Sequence, residues 1–309
     1  MKQRMAIGGN WAPVLLPIDE DDSIDFGRLA TVIDRLIAAS VDGIYSNGTA
    51  SEFHNQTEAE YDSIQTLMAE KCRAAGMPFV IGACHSDPSV SRERTARAAA
   101  LRPEAIQVIL PDWLPVTDAE AIDFLRLTVD AAGDVPLILY NPPHAKRVLS
   151  PDELARILAE APTVVGVKLA SGDAAWREAV RRHLGDIALF VPGHRLATET
   201  REGVAAGSFS NVACLDPRGA QRWTDLMRKD IDAALDLERR LCHFIDTHIV
   251  PFREKPGYSN AALDKLLATI GGWGPIGTRL RRPYRWIPEA EADRLRPIAR
   301  RSMPELFAD

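Results

Sequence analysis

Eight short apolar runs, separated by stretches of helical periodicity, organise the chain up to about residue 217. They are IGGNWAPVLLP from Ile7, GIYSNG from Gly43, FVIGAC from Phe79, AIQVILP from Ala105, LILYNPP from Leu137, VVGVKLAS from Val164, ALFVPG from Ala188 and GSFSNVACL from Gly207. Runs this short and this rich in β-branched residues predict strands buried on both faces, as in a parallel sheet. Between them, FGRLATVIDRLIAAS and SPDELARILAEA place apolar residues at the three-to-four spacing of helices, and Ser150 with Glu153 forms a capping box ahead of Pro151. Eight strand-helix units in series predict an α/β fold of the (β/α)8, or TIM, barrel type. A doubly wound sheet is the competing architecture, but no strand leads into a G-x-G-x-x-G or P-loop pattern. Beyond about residue 217 only helical signals remain, in AQRWTDLMRKDIDAALDLERRLCHFIDTHI and SNAALDKLLATIG. The expected division is a barrel over residues 1–230 and a C-terminal helical domain over 231–309.

Composition narrows the function classes. A formal net charge of -6 provides no basic surface for nucleic acid or an anionic membrane, and no run approaches the roughly 18 apolar residues of a membrane span. The opening MKQRMAIGGNWAPVLLP has basic residues ahead of an apolar stretch, yet Asn10 and Pro13 interrupt it and no cleavage pattern follows, so no targeting is expected. Cys72, Cys84, Cys214 and Cys242 lie far apart with no C-x-x-C pair, as in reduced, mostly buried thiols, and the expected compartment is the cytoplasm. Seven scattered histidines form no H-x-x-x-H pair, so no metal and no other cofactor is expected.

Barrel chemistry sits at the C-terminal ends of the strands. There the runs end in SNGTASE, LPDW, YNPPH, KLASG and PGHR. Lys168 and Tyr140 close successive strands at similar depth, and Thr49 follows strand two. A lysine whose ammonium is partly desolvated keeps a useful fraction of neutral amine, able to attack a ketone and form a Schiff base. A tyrosine within hydrogen-bond reach is suited to shuttle the protons that carbinolamine formation and carbon-carbon cleavage require, and Thr49 would complete the relay. Each residue also has a plainer reading: Lys168 as a snorkelling surface lysine, Tyr140 as a core aromatic, GTASE as a turn before a helix cap.

SNGTASE, LYNPP and VGVKLAS, in this order and over nearly the whole chain, resemble the motifs of the dihydrodipicolinate synthase / N-acetylneuraminate lyase superfamily of Schiff-base-forming class I pyruvate lyases and aldolases. The resemblance implies Lys168 as the Schiff-base lysine, Tyr140 as the acid/base and Thr49 as the hydroxyl that hydrogen-bonds it. It implies a substrate carboxylate held at the second motif. There Ala50 stands for the second family hydroxyl and Ser51 for the following glycine, leaving the amides of Thr49 and Ala50, with Ser51 as substitute. Gly193, His194, Arg195 and His144 are candidates for the variable part of the substrate, with Asp112 and Glu52 of similar standing; all six are equally readable as ordinary rim residues.

Two departures turn the expectation away from the synthase branch. Ala145 occupies the place of its substrate-binding arginine, with Lys146 and Arg147 just beyond, and Trp113 the place of its tyrosine. The expected activity is a lyase or aldolase on pyruvate or a related 2-oxo acid, cleaving or condensing a 2-oxo-3-deoxy sugar acid or similar 4-hydroxy-2-oxo acid. The alternatives are a dehydratase using the same lysine iminium and a synthase-like condensation. The expected partners are a small 2-oxo acid and further copies of the chain, as a dimer or a tetramer.

Overall fold

The computed structural model describes residues 7–308, so the basic start of the leader-like opening lies outside the described residues. Eight strands alternate with helices: β1 (Gly9–Pro13), α1 (Phe26–Ala38), β2 (Gly43–Tyr45), α2 (Glu58–Ala75), β3 (Phe79–Gly82), α3 (Pro88–Ala100), β4 (Ala105–Ile109), α4 (Asp118–Ala132), β5 (Leu137–Tyr140), α5 (Pro151–Ala159), β6 (Val164–Lys168), α6 (Ala174–His183), β7 (Ala188–Pro192), α7 (Leu196–Arg201) and β8 (Gly207–Phe209). The strands are parallel and pair in chain order, and β8 closes on β1 through Gly9 with Gly207 and Trp11 with Phe209. The fold is the expected (β/α)8 barrel with a helical C-terminal region. After β8 come α8 (Val212–Leu215), α9 (Pro217–Lys229), α10 (Ile231–Phe244), a π turn (Ile245–Ile249), α11 (Val250–Glu254), α12 (Asn260–Gly271) and α13 (Glu289–Ser302).

Local chemistry explains most boundaries. Thr57 with Glu60, Thr117 with Glu120 and Ser150 with Glu153 form capping boxes that satisfy the leading N–H groups of α2, α4 and α5. Two boundaries depart from the sequence reading. Only the first three residues of the GSFSNVACL run join the sheet, because Ser210 donates its N–H to the Trp11 carbonyl and accepts from Ala213 N, starting α8. The long helical stretch from Ala220 is broken at Asp230, whose extended backbone (φ -151°, ψ 89°) lets its carboxylate cap α10 by accepting from Ala233 N.

Trp11, Tyr45, Val80, Ile138, Phe190 and Phe209 fill the barrel interior, and the side chains outside the sheet pack it against the helices. Trp11 has room because its register partner is Gly43, where an added Cβ would lie 2.3 Å from Trp11 Cζ3. Gly43→Ala is therefore expected to lower unfolding free energy by about 1–3 kcal/mol through overpacking, read from urea denaturation. An unchanged midpoint would mean that Trp11 repacks freely.

Candidate active site

The register of β5 against β6 makes Tyr140 and Lys168 direct cross-strand partners, both the last residues of their strands. The apolar run before Lys168 is buried in the sheet, so the lysine emerges where the barrel opens. Its Nζ lies 4.1 Å from the ring centre of Tyr140, 5.1 Å from that of Phe209 and 5.2 Å from that of Tyr45. Ring faces attract an ammonium but replace water poorly. Burial accordingly pulls Lys168 down to about 8. At pH 7 about one amine in ten is then neutral, against roughly one in three thousand for an unshifted lysine. Burial pushes the Tyr140 hydroxyl up to about 12, offset in part by its hydrogen bond with Thr49, so it carries its proton at neutral pH.

Thr49 comes from the loop after β2. Its Oγ1 lies 3.5 Å from Tyr140 Oη, with either atom able to donate. The residues Thr49–Ser51 form one 3-10 turn between two left-handed positions, Asn47 and Glu52. The leading N–H groups of such a turn have no partner within it. Thr49 and Ala50 both line the cavity above Lys168. Gly48 keeps the approach close: a Cβ there would lie 3.0 Å from Tyr45 Cε2 and 3.8 Å from Lys168 Nζ.

The structure corrects several candidates. Ser51 is fully buried and donates its hydroxyl to the Val14 carbonyl at 2.5 Å, turned away from the cavity. The left-handed backbone of Glu52 carries its side chain into the interior, where it meets Lys265 Nζ at 2.6 Å. Arg195 is exposed, whereas its neighbour His194 lines the cavity with its ring tied to Asn211. Burial holds the His194 imidazole below its ordinary value. Gly193 lies behind this pair and allows close packing, since a Cβ there would fall 2.5 Å from Ser210 Oγ. His144 stands exposed at the mouth, between the main cavity of about 340 Å³ and a small cleft beside it that Asp112 also lines.

Of the two cations in the loop after β5, only Arg147 lines that cleft, and its guanidinium is already paired. Arg147 is held by Asp118, Glu153 and the Val116 carbonyl, and the backbone N–H of Lys146 donates to Asp112. Trp113 is 80% exposed, with the Lys146 ammonium 5.9 Å from its ring centre. Sequence reasoning missed Tyr45 and Phe209, although both close their strands as Tyr140 and Lys168 do. It also missed Cys214 on α8 and Asp264 on α12, which complete the cavity wall. Among the described residues no group of three or more His, Cys, Asp or Glu side chains is arranged to hold a metal ion, and no helix is long and apolar enough to cross a membrane.

Comparison with known proteins agrees with this fold. N-acetylneuraminate lyase of Escherichia coli strain SMS-3-5 / SECEC is 27% identical over 183 residues, which is 59% of this chain. The chain spans 61% of the length of that curated relative. Among solved structures, YagE of E. coli K12, in complex with pyruvate, superposes with a TM-score of 0.84 at 20% identity, covering 96% of this chain and 98% of YagE. CdNal of Clostridium difficile, in complex with mannosamine, gives a TM-score of 0.83 at 18% identity over 96% of this chain and 99% of CdNal. At these identities the structural likeness speaks for the fold. The model of the dihydrodipicolinate synthetase family matches residues 6–298, through the whole barrel and most of the helical tail, and the chain belongs to that family.

Proposed function

We propose that the protein is a Schiff-base-forming lyase or aldolase for pyruvate or a related 2-oxo acid, acting on a 2-oxo-3-deoxy sugar acid or similar 4-hydroxy-2-oxo acid. The observation that carries this reading is the desolvated amine of Lys168 against Tyr140 at the mouth of the barrel. The lyase activity named for the curated relatives supports it.

In this reading the neutral Lys168 amine attacks C2 of the 2-oxo acid, and loss of water leaves an iminium. The iminium draws the electron pair of the breaking C3–C4 bond into an enamine, while Tyr140 Oη shuttles the proton that leaves the C4 hydroxyl. Thr49 Oγ1 keeps the Tyr140 hydroxyl oriented. The amides of Thr49 and Ala50 receive the substrate carboxylate, at the place where Ser51 has turned away. Protonation of the enamine at C3 and hydrolysis return Lys168 and release pyruvate. Cytoplasmic location and a homo-oligomer, dimer or tetramer, belong to the same proposal; exposed Trp113 and Leu114 after β4 provide apolar surface for contact between copies.

Incubation with candidate 2-oxo-3-deoxy sugar acids, followed by product analysis, tests the reading. Pyruvate plus an aldehyde is expected; a dehydrated 2-oxo acid with no aldehyde would replace cleavage by dehydration. Tyr140→Phe is expected to lower kcat by about 10²–10⁴-fold with KM little changed, the effect of losing a positioned proton carrier. An undiminished kcat would remove Tyr140 from the proton path.

A further inference from the structure

One face of α12 looks into the cavity: Asn260, Leu263, Asp264 and Leu267 all line it, at the spacing i, i+3, i+4, i+7. Asp264 is the only ionisable side chain of these four. Its orientation is fixed by its neighbour in sequence, because Lys265 points about 100° around the helix into a buried ion pair with Glu52 and donates to the Arg279 carbonyl. Cys214, on the neighbouring α8, lines the same cavity and donates its thiol to the Ser210 carbonyl at 3.9 Å. Lys168 and Asp264 line the same cavity, close enough for the charge of each to favour the charged form of the other.

We propose that Asp264 is a further catalytic residue, the carboxyl that carries the proton between the Lys168 amine and the oxygen leaving C2 when the Schiff base forms. This rests on the reading of Lys168 as the Schiff-base lysine. Relayed by one water across the cavity, Asp264 carboxylate takes one proton from the Lys168 ammonium, leaving a neutral amine and a neutral acid. The amine forms the N–C2 bond, and the ketone oxygen receives a proton from the attacking nitrogen, giving a neutral carbinolamine. Asp264 then donates its proton to that hydroxyl, the C2–O bond breaks, and water departs. What remains is a cationic iminium opposite an anionic carboxylate, with every proton accounted for. Tyr140 stays available for the later carbon-carbon step.

The surroundings suit such a shuttle. Burial pushes Asp264 up to about 7, offset in part by Lys168, so its acid and base forms are both populated near neutrality. Burial keeps the Cys214 thiol, well above its ordinary value, in its donor form. The other ionisable groups facing the cavity are the hydroxyls of Tyr45 on β2 and Tyr140 on β5, both raised by burial, and the His194 imidazole, lowered by it; the buried Cys84 thiol also acts on Lys168, while His144, Asp246 and Arg253 are exposed at the rim.

The test is the rate at which pyruvate becomes trapped on the protein, measured by rapid mixing and timed borohydride quench from pH 6 to 9 in wild type, Asp264→Asn and Asp264→Glu. Removing the neighbouring carboxylate lowers the Lys168 pKa further whatever else Asp264 does, so the rising limb moves to lower pH in either case. The plateau separates the roles. Loss of a proton carrier is expected to lower the plateau of Asp264→Asn by about 10²-fold, and Asp264→Glu is expected to recover part of it. A plateau for Asp264→Asn within about threefold of wild type, or an Asp264→Glu variant as slow as Asp264→Asn, would overturn the proposal; the threefold limit reflects that a bystander charge acts on the amine's pKa and not on the proton transfer. Wild-type protein that traps no pyruvate at all would instead overturn the Schiff-base reading itself.

Discussion

Lys168→Ala is expected to reduce kcat/KM by about 10⁴-fold or more, a loss of ~5 kcal/mol in transition-state stabilisation. The reason is covalent: without the amine there is no iminium, and the C3–C4 bond has nowhere to send its electrons. The fold is expected to tolerate the change, because alanine removes an ammonium that the three surrounding rings hold at a cost in solvation. A melting temperature equal to or above that of wild type, together with lost turnover, separates chemistry from misfolding. The pH profile has a definite sign. The reactive form is the free amine, whose fraction rises with pH through about 8, so wild-type kcat/KM is expected to climb from pH 6 and level off above that point. A rate that falls over this range would mean that the ammonium is the required form.

Lys265→Met is expected to cost about 3–5 kcal/mol of stability, read from chemical denaturation. Lys265 is fully buried and Glu52 2% exposed, so deleting the cation strands a carboxylate in the interior. The Arg279 carbonyl loses its donor as well. Because Glu52 also accepts from Arg281 N, the pair ties α12 and the following segment to the loop that carries Thr49 and Ala50. Activity should therefore fall together with stability. The double variant Lys265→Met with Glu52→Leu removes both charges and is expected to regain most of the stability, since replacing a buried pair by apolar side chains is often neutral or stabilising. If Lys265→Met alone unfolds no more easily than wild type, the pair does not hold α12 in place.

How much of this was legible beforehand follows from where each signal resides. The barrel was readable because parallel strands buried on both faces leave continuous apolar runs, and eight of them alternate with helical periodicity. Lys168 and Tyr140 were readable because strand ends point to one end of a barrel, and a charge closing an apolar strand is conspicuous. Ser51 was not, because a 3-10 turn followed by a left-handed residue rotates its hydroxyl into the interior, and sequence spacing carries no such rotation. Arg195 and His194 illustrate the same limit: neighbours on a short turn, one reaches the cavity and the other reaches solvent. Asp264 lay furthest from view. Its position depends on the docking of α12 against the loop after β2, about two hundred residues away in sequence, and within SNAALDKLLATIG an Asp beside a Lys reads as an ordinary solvated pair.

The most direct test of the Schiff-base reading is intact-mass spectrometry after mixing the protein with pyruvate and then borohydride, with Lys168→Ala treated in parallel. The expected result is an increment of about 72 Da, one reduced pyruvate adduct, in wild type and none in the variant. An equal increment in both proteins would place the reactive amine elsewhere, and no increment in either, with pyruvate and with longer 2-oxo acids, would contradict a covalent role for Lys168.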